Sequence, residues 1–268
     1  MREVSPHLKL FDIPEQFDDG IVIGRGRLDG GRVLIAAQEG RFMGGAFGEV
    51  HGAKLTGLLQ AARDTRSTPV LILFDTGGVR LQEANAGELA IAEIMRAVME
   101  ARMAGVKVIG LIGGRAGCYG GGGLISATCS ALAVSEQGRI AVSGPEVIET
   151  NRGVEEFDSR DHALVWRTMG GKHRRLLGTA EIFVDDTVED FRKAAVDLLG
   201  LVPAFDRKAL VAEQARLEDR LQRFGKCRDA LDIWSAEGVE DAKAIPGMPA
   251  KQFIALADKV WKPSHDAR

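Results

Sequence analysis

Cysteine is scarce in this 268-residue chain: Cys118, Cys129 and Cys227 are all there is, and no two form a CxxC pair. That argues against a structural zinc site, which needs several Cys or His ligands at short spacings, and no bound metal is expected. An odd cysteine count without a secretory leader fits a reducing, cytoplasmic setting. Long apolar runs are missing too. None approaches the ~18 residues a membrane helix needs, so no membrane partner is expected. Neither charge sign dominates: 35 Lys and Arg face 38 Asp and Glu, a formal net charge of -3. No broad attraction to nucleic acid follows from that balance. Only a local basic patch, for an acidic carrier or a phosphate, stays open.

Glycine is what the chain has in excess. There are 33 among 268 residues, against roughly 7% in an average protein, and they cluster without a collagen period. Clustered glycine marks positive φ or close approach of backbone to something else.

The hydrophobic pattern predicts an α/β protein. Ile21–Ile23 and Val33–Ala37 alternate like strands around Leu28–Gly31, a turn signal. A helix is expected over Val50–Arg63. Val70–Phe74 is a continuous apolar run, as a strand covered on both faces should be. It ends at Asp75-Thr76-Gly77-Gly78, before a helix over Leu81–Met103 with Ile91, Ile94, Met95 and Val98 on one stripe. Gly105 suits its C-terminal cap. The move repeats: a strand over Val106–Ile112, the Gly113–Gly123 passage, a small-residue helix over Leu124–Ser130, and short strands at Ala131–Val134 and Arg139–Val142. Pro145 opens another helix. Residues 151–162 read as a surface loop or lid. Leu164–Leu177 and Val188–Leu199 read as helices. Leu210, Leu217, Leu221 and Phe224 are spaced for an amphipathic helix, expected to pack on the core, with partner binding as the rarer use. The tail after Lys262 is expected to fray.

The chemistry-bearing feature is a pair of glycine turns in matching positions, Gly77-Gly78 and Gly117–Gly123, each after a buried strand and before a helix. Amides at a helix N-terminus are unpaired and lie at the positive end of its dipole. Such a turn suits a phosphate or an oxyanion that develops during reaction. One turn alone is as well explained by tight packing; two shift the balance toward function. A dinucleotide site is disfavoured, because Gly24-x-Gly26 lacks its third glycine and no Walker A lysine is present.

Several long motifs resemble a known family. EGRFMGGAFGEVHGAK, DTGGVRLQEA and SGPEVIE, co-linear within about Gly20–Asp186, look like the beta subunit of biotin-independent malonate decarboxylase. They are also similar to the carboxyltransferase beta subunit of acetyl-CoA carboxylase. Phe157-Asp158-Ser159-Arg160-Asp161 favours the decarboxylase branch, and so does the missing four-cysteine zinc module. The resemblance implies a crotonase/ClpP-like fold of stacked ββα units with a helical C-terminal extension. Its parts would be an arm (1–19), a core (20–186) and a helical region (187–268) in one domain. It implies a gamma subunit, an acyl carrier protein subunit and an acyl-transferase alpha subunit as partners. No cofactor is expected on this chain; the phosphopantetheine-type group belongs to the carrier protein. The activity implied is decarboxylation of malonyl-S-carrier protein to acetyl-S-carrier protein and CO2. A biotin-dependent carboxyltransferase beta subunit and a non-catalytic assembly subunit are the alternatives.

The expected oxyanion donors are Gly77 and Gly78 with Gly120 and Gly121. The resemblance adds Met43, Gly44 and Gly45 near the thioester arm. Arg80 could grip a carboxylate or phosphate, or simply pair with Glu83. Tyr119 could wall the pocket or donate a proton. His51 as proton donor, Cys118 as nucleophile, and Glu146 with Glu149 as an acid/base pair are each weaker than a structural role.

Overall fold

The computed structural model describes residues 4–10, 12, 17–202 and 205–260; the tail beyond Lys262 lies outside them. A short helix α1 (Pro6–Leu10) and a turn α2 (Phe17–Gly20) lead into a hairpin. Its strands, β1 (Ile21–Leu28) and β2 (Gly31–Gln38), pair antiparallel from Ile21↔Gln38 to Leu28↔Gly31. Asp29 and Gly30 both have positive φ, 48° and 79°. That is the mirror-image turn whose twist suits a two-residue hairpin.

After β2 one move repeats. Helix α3 (Glu49–Thr65) returns to β3 (Val70–Phe74), and α4 (Asn85–Met103) to β4 (Val108–Ile112). Past the short β5 (Cys118–Tyr119), α5 (Gly121–Thr128) returns to β6 (Ala131–Ser135). There follow β7 (Ile140–Ala141), α6 (Pro145–Arg152), α7 (His162–Met169), α8 (Gly171–Leu176) and β8 (Ile182–Val184). The chain continues through α9 (Val188–Leu201), α10 (Arg207–Phe224), α11 (Ala230–Ala236) and α12 (Ala250–Val260). The main sheet runs β1-β2-β3-β4-β6-β8, parallel from β2 onward. Residues of α3, α4 and α5 share a core with one face, and residues of α9 share a second core with the other. Coverage on both faces is why Val70–Phe74 is apolar without alternation. On α4, Ile91, Ile94 and Val98 are buried and Met95 half-buried against that core. A fully buried aliphatic side chain of this size contributes about 1.5–3 kcal/mol. Gly105 (φ 87°) ends α4 as expected, with Val106 N–H closing back to Ala101 O at 2.9 Å.

Three expectations need correction. The helix foreseen over Leu81–Met103 is a 3-10 turn, Leu81–Glu83, and then α4, broken at Ala84 (φ 47°, ψ −131°). The helix foreseen over Leu164–Leu177 breaks at Gly170, which is extended (φ −71°, ψ 163°) and caps α8. A Cβ there would lie 2.4 Å from Trp166 O, so only glycine fits the corner. The third correction concerns α10. The helix forms, started by the Asp206 side chain accepting from Ala209 N, but it does not lay its leucines on the core. Leu210, Leu217 and Leu221 are exposed, Leu221 by 73%. Ion pairs along its own surface, Arg216–Glu213 and Arg223–Asp219, and a bond from Arg216 to Gly178 O hold it. No helix among the described residues is long and apolar enough to cross a membrane.

Candidate active site

At the carboxyl ends of β2, β3 and β4, three loops run side by side. Phe47 N–H donates to Gly78 O (2.8 Å), and Arg80 N–H donates to Phe47 O (2.9 Å). Thr76 N–H donates to Gly117 O (2.8 Å), and Tyr119 N–H donates to Thr76 O (3.0 Å). These are parallel bridges, Phe47↔Val79 and Thr76↔Cys118, and beyond them β5 pairs with β7. Glycine permits the approach. A Cβ on Gly45 would sit 1.7 Å from Asp75 O, and one on Gly120 would sit 3.1 Å from Gly78 Cα. The two glycine turns therefore touch.

Hydrogen bonding changes which amides are open. Gly77 N–H donates to Gly44 O at 2.7 Å, and Gly78 N–H to Thr76 Oγ1 at 3.1 Å. Both donors foreseen in this turn are engaged inside the chain, so the expectation for Gly77 and Gly78 is corrected. Their neighbour Val79 differs. Phe47 bonds to Gly78 O and Arg80 N, so the Val79 peptide groups between them face away from Phe47. Val79 N–H has no hydrogen-bond partner among the described residues. Across the contact, Gly120 (φ 55°) is the N-cap of α5 and offers no capping side chain. The amides of Gly120 and Gly121 likewise have no partner among the described residues, as first-turn amides of a helix do not. The open amide at Val79 has no sequence signature of its own, since a valine carries no conformational signal; its place beside two glycines at the end of a strand was the signal available.

A buried polar chain holds these loops in register. Asp19 O can only accept, so the proton of His51 sits on Nδ1, which donates to it at 3.0 Å. His51 Nε2 then accepts from Gln38 Nε2 (3.1 Å), and Gln38 Oε1 accepts from Asp75 N–H (3.1 Å). Burial, helped by the Arg80 charge, brings the His51 pKa down from 6.5 to about 3. A neutral, fully buried imidazole with both nitrogens occupied cannot protonate a substrate. The Asp75 carboxylate accepts from Ala116 N at 2.7 Å. Its pKa is raised, first by burial, and a Cβ on Gly40 or Gly114 would strike it at 2.1 Å.

The other candidates fall into place around this layer. Met43–Gly45 form a 3-10 turn against the Gly77 loop. Arg80 is not open to a substrate: it is 1% exposed and paired with Asp19 and Glu83. Tyr119 is buried with Phe157, Val165 and Met169, and its hydroxyl accepts from Arg139 Nε at 3.1 Å. Its ring thereby braces the segment around Phe157, and burial raises its pKa. Burial also pushes the Cys118 thiol well up, which denies it the thiolate a nucleophile needs. Glu149 accepts from Ser159 N (2.8 Å), tying α6 to the loop after it, while Glu146 lies in the first turn of α6. Among the described residues no group of three His, Cys, Asp or Glu is placed to hold a metal.

Comparison with known proteins identifies the family. Residues 3–226 match the model of the carboxyl transferase domain. The chain is 37% identical to a Malonomonas rubra protein named malonyl-S-ACP:biotin-protein carboxyltransferase MADC, over 96% of this chain and 86% of that one. It is 39% identical, with a TM-score of 0.78, to a chain of a Pseudomonas malonate decarboxylase hetero-tetramer solved with malonate, covering 87% of this chain and 85% of that one. An acetyl-coenzyme A carboxylase carboxyl transferase subunit beta from Fusobacterium nucleatum is 32% identical over 49% of this chain and 43% of its own length. The fold is the crotonase type that the motifs implied. The chain belongs to the carboxyl transferase family, as a malonate decarboxylase-like subunit related to the acetyl-CoA carboxylase beta subunits.

Proposed function

We propose that this subunit decarboxylates the malonyl thioester of an acyl carrier protein, in the cytoplasm and together with a companion gamma subunit. The observation that carries the reading is the set of amides on touching turns, at Val79, Gly120 and Gly121, that have no partner among the described residues. Loss of CO2 breaks the bond between the α-carbon and the carboxylate carbon. The bonding pair stays on the α-carbon and delocalises onto the thioester oxygen as an enolate. Protonation of the α-carbon then gives the acetyl thioester. Fixed donors aimed at that oxygen lower the barrier by about 2.7–4 kcal/mol each. Backbone amides have no titrating proton, so they stay donors at every working pH. Met43, Gly44 and Gly45 would lie along the phosphopantetheine-type arm, which the carrier supplies as part of the substrate. An acyl-transferase alpha subunit would load that carrier.

Exposed apolar side chains support a two-subunit site. Leu81, Leu124 and Val142 lie on or beside the segments that carry the turns, and Leu81 is 85% exposed. A companion subunit seated there would exclude water from the enolate. The test is co-expression with the companion and a measurement of CO2 from malonyl carrier protein. Release no greater than from the companion alone would sink the proposal. A second reading is carboxyl transfer to a biotin protein, favoured by the name of the Malonomonas rubra relative. Avidin separates the two, because it should block the transfer and leave direct decarboxylation intact. A purely assembling role would require a thioester analogue to bind the complex without touching Val79 or Gly120.

A further inference from the structure

One cluster of buried charge is not used by the chemistry above. Arg80 is 1% exposed, Asp19 is 0% exposed and Glu83 is 5% exposed. Arg80 Nη1 contacts Asp19 Oδ1 and donates to Glu83 Oε1 at 2.8 Å, while Nη2 donates to Asp19 O at 3.1 Å. The carboxylates reach onward. Asp19 Oδ2 accepts from Ser5 N at 2.6 Å, and Glu83 Oε2 accepts from Glu49 N, at the start of α3, at 2.6 Å. The guanidinium also lies 5.6 Å from the centroid of the Phe42 ring, next to the Met43–Gly45 turn. A Cβ on Gly48 would come within 2.5 Å of Arg80 Nη1. One side chain thus joins the N-terminal arm, the Phe42–Gly48 loop, the α3 start and the turn that carries Val79.

The backbone makes this more than packing. Arg80 is the residue after Val79, and its own N–H is fixed to Phe47 O. The Val79 N–H lies in the peptide plane whose carbonyl, Gly78 O, accepts from Phe47 N–H, and Arg80, clamped by backbone and side chain, holds the other side of Val79. The residues that lead into β1 are fixed as well: Asp18, Asp19 and Gly20 all have positive φ, at 50°, 65° and 74°. Two non-glycine residues in that region are unfavourable, and such backbone persists only where surrounding contacts over-determine it. Lys54 contacting Asp18 O, and His51 and Arg80 donating to Asp19 O, supply those contacts.

We infer that Arg80, held between Asp19 and Glu83, is a positioning residue that aims the Val79 N–H, so that it governs turnover without touching substrate. This rests on the proposed role of Val79. Arg80→Lys keeps the charge and loses the planar fork. In the assembled complex with malonyl carrier protein it should lower kcat about 10- to 100-fold while KM stays within about twofold. A merely structural residue would scale activity with the folded fraction, read by near-ultraviolet circular dichroism, and kcat per folded enzyme would not change. That result overturns the inference. If Arg80→Lys does not fold, Asp19→Asn, which leaves the Glu83 pair in place, decides by the same criterion. The wild-type complex, run alongside, keeps the two readings apart. Should it release no CO2, the functional proposal fails, and the same variants are then scored by carboxyl transfer to a biotin protein.

Discussion

Replacing Val79 with its α-hydroxy acid counterpart converts the Gly78–Val79 amide into an ester. The side chain is kept and the N–H becomes an ether-type oxygen. Since Val79 N–H has no partner among the described residues, its loss breaks no bond that those residues make. The same change weakens Gly78 O as acceptor for Phe47 N–H, a 2.8 Å bond. A bond of this kind contributes about 0.5–1.5 kcal/mol net, so the stability loss should not exceed ~1 kcal/mol. The catalytic loss should be larger. One oxyanion donor supplies about 2.7–4 kcal/mol, or a factor of about 10²–10³ in kcat. The assay is single-turnover CO2 release at saturating malonyl carrier protein, with urea unfolding of the same preparation. An ester at Leu124, whose N–H donates to Gly120 O at 3.2 Å, is the control, costing stability and little rate. A folded Val79 ester with kcat within about threefold of the parent would refute the assignment, because no donor effect is that small.

Three further outcomes are expected. Gly45→Ala puts a Cβ 1.7 Å from Asp75 O at a φ of 67°. It should lose more than about 2 kcal/mol from overpacking and the left-handed backbone together, and a near-normal urea midpoint would contradict the described loop packing. His51 and His173 both have pKa values brought down to about 3, chiefly by burial. The unfolded chain takes up those protons near pH 6.5, so stability is unaffected above that pH and falls as pH drops toward 3. Each histidine contributes up to about 1.4 kcal/mol per pH unit. His51→Gln should therefore flatten the pH dependence of the unfolding free energy between pH 6 and pH 4.5, roughly by one such slope; an unchanged slope would refute it. Leu221→Lys, at a side chain 73% exposed, should change the stability of the isolated chain by less than about 0.5 kcal/mol. A loss well above that would show that α10 packs its leucines after all.

Much of the fold is legible in the sequence because burial writes a periodic signal. The unbroken Val70–Phe74 run, the Ile91–Val98 stripe and the Gly105 cap each follow from one local rule, and the structure has all three. The glycine turns were legible as a pair, for the same reason. The rest depends on contacts between distant residues. Whether Gly77 N–H is open is decided by Gly44 O, 33 positions earlier. Whether Arg80 meets substrate or an acid is decided by Asp19, 61 positions earlier. Neither partner announces itself by spacing. The corner at Gly170 and the stand-off of α10 were missed for a related reason: helical periodicity shows which face is apolar, not what covers it.

The two parallel bridges also say something about how the molecule comes to be. Phe47 meets Val79, and Thr76 meets Cys118, each through β-type pairs that close loops of dozens of residues. Closing such loops costs chain entropy before any contact compensates for it. The strands they extend must already be in place, so the amide cluster should be among the last features to order during folding. By the same route in reverse it should open before the sheet that it extends. Hydrogen exchange at Thr76 and Tyr119, whose amides make the bridging bonds, should then be faster than in β3 and β4, and would report on the amide cluster separately from the core beneath it.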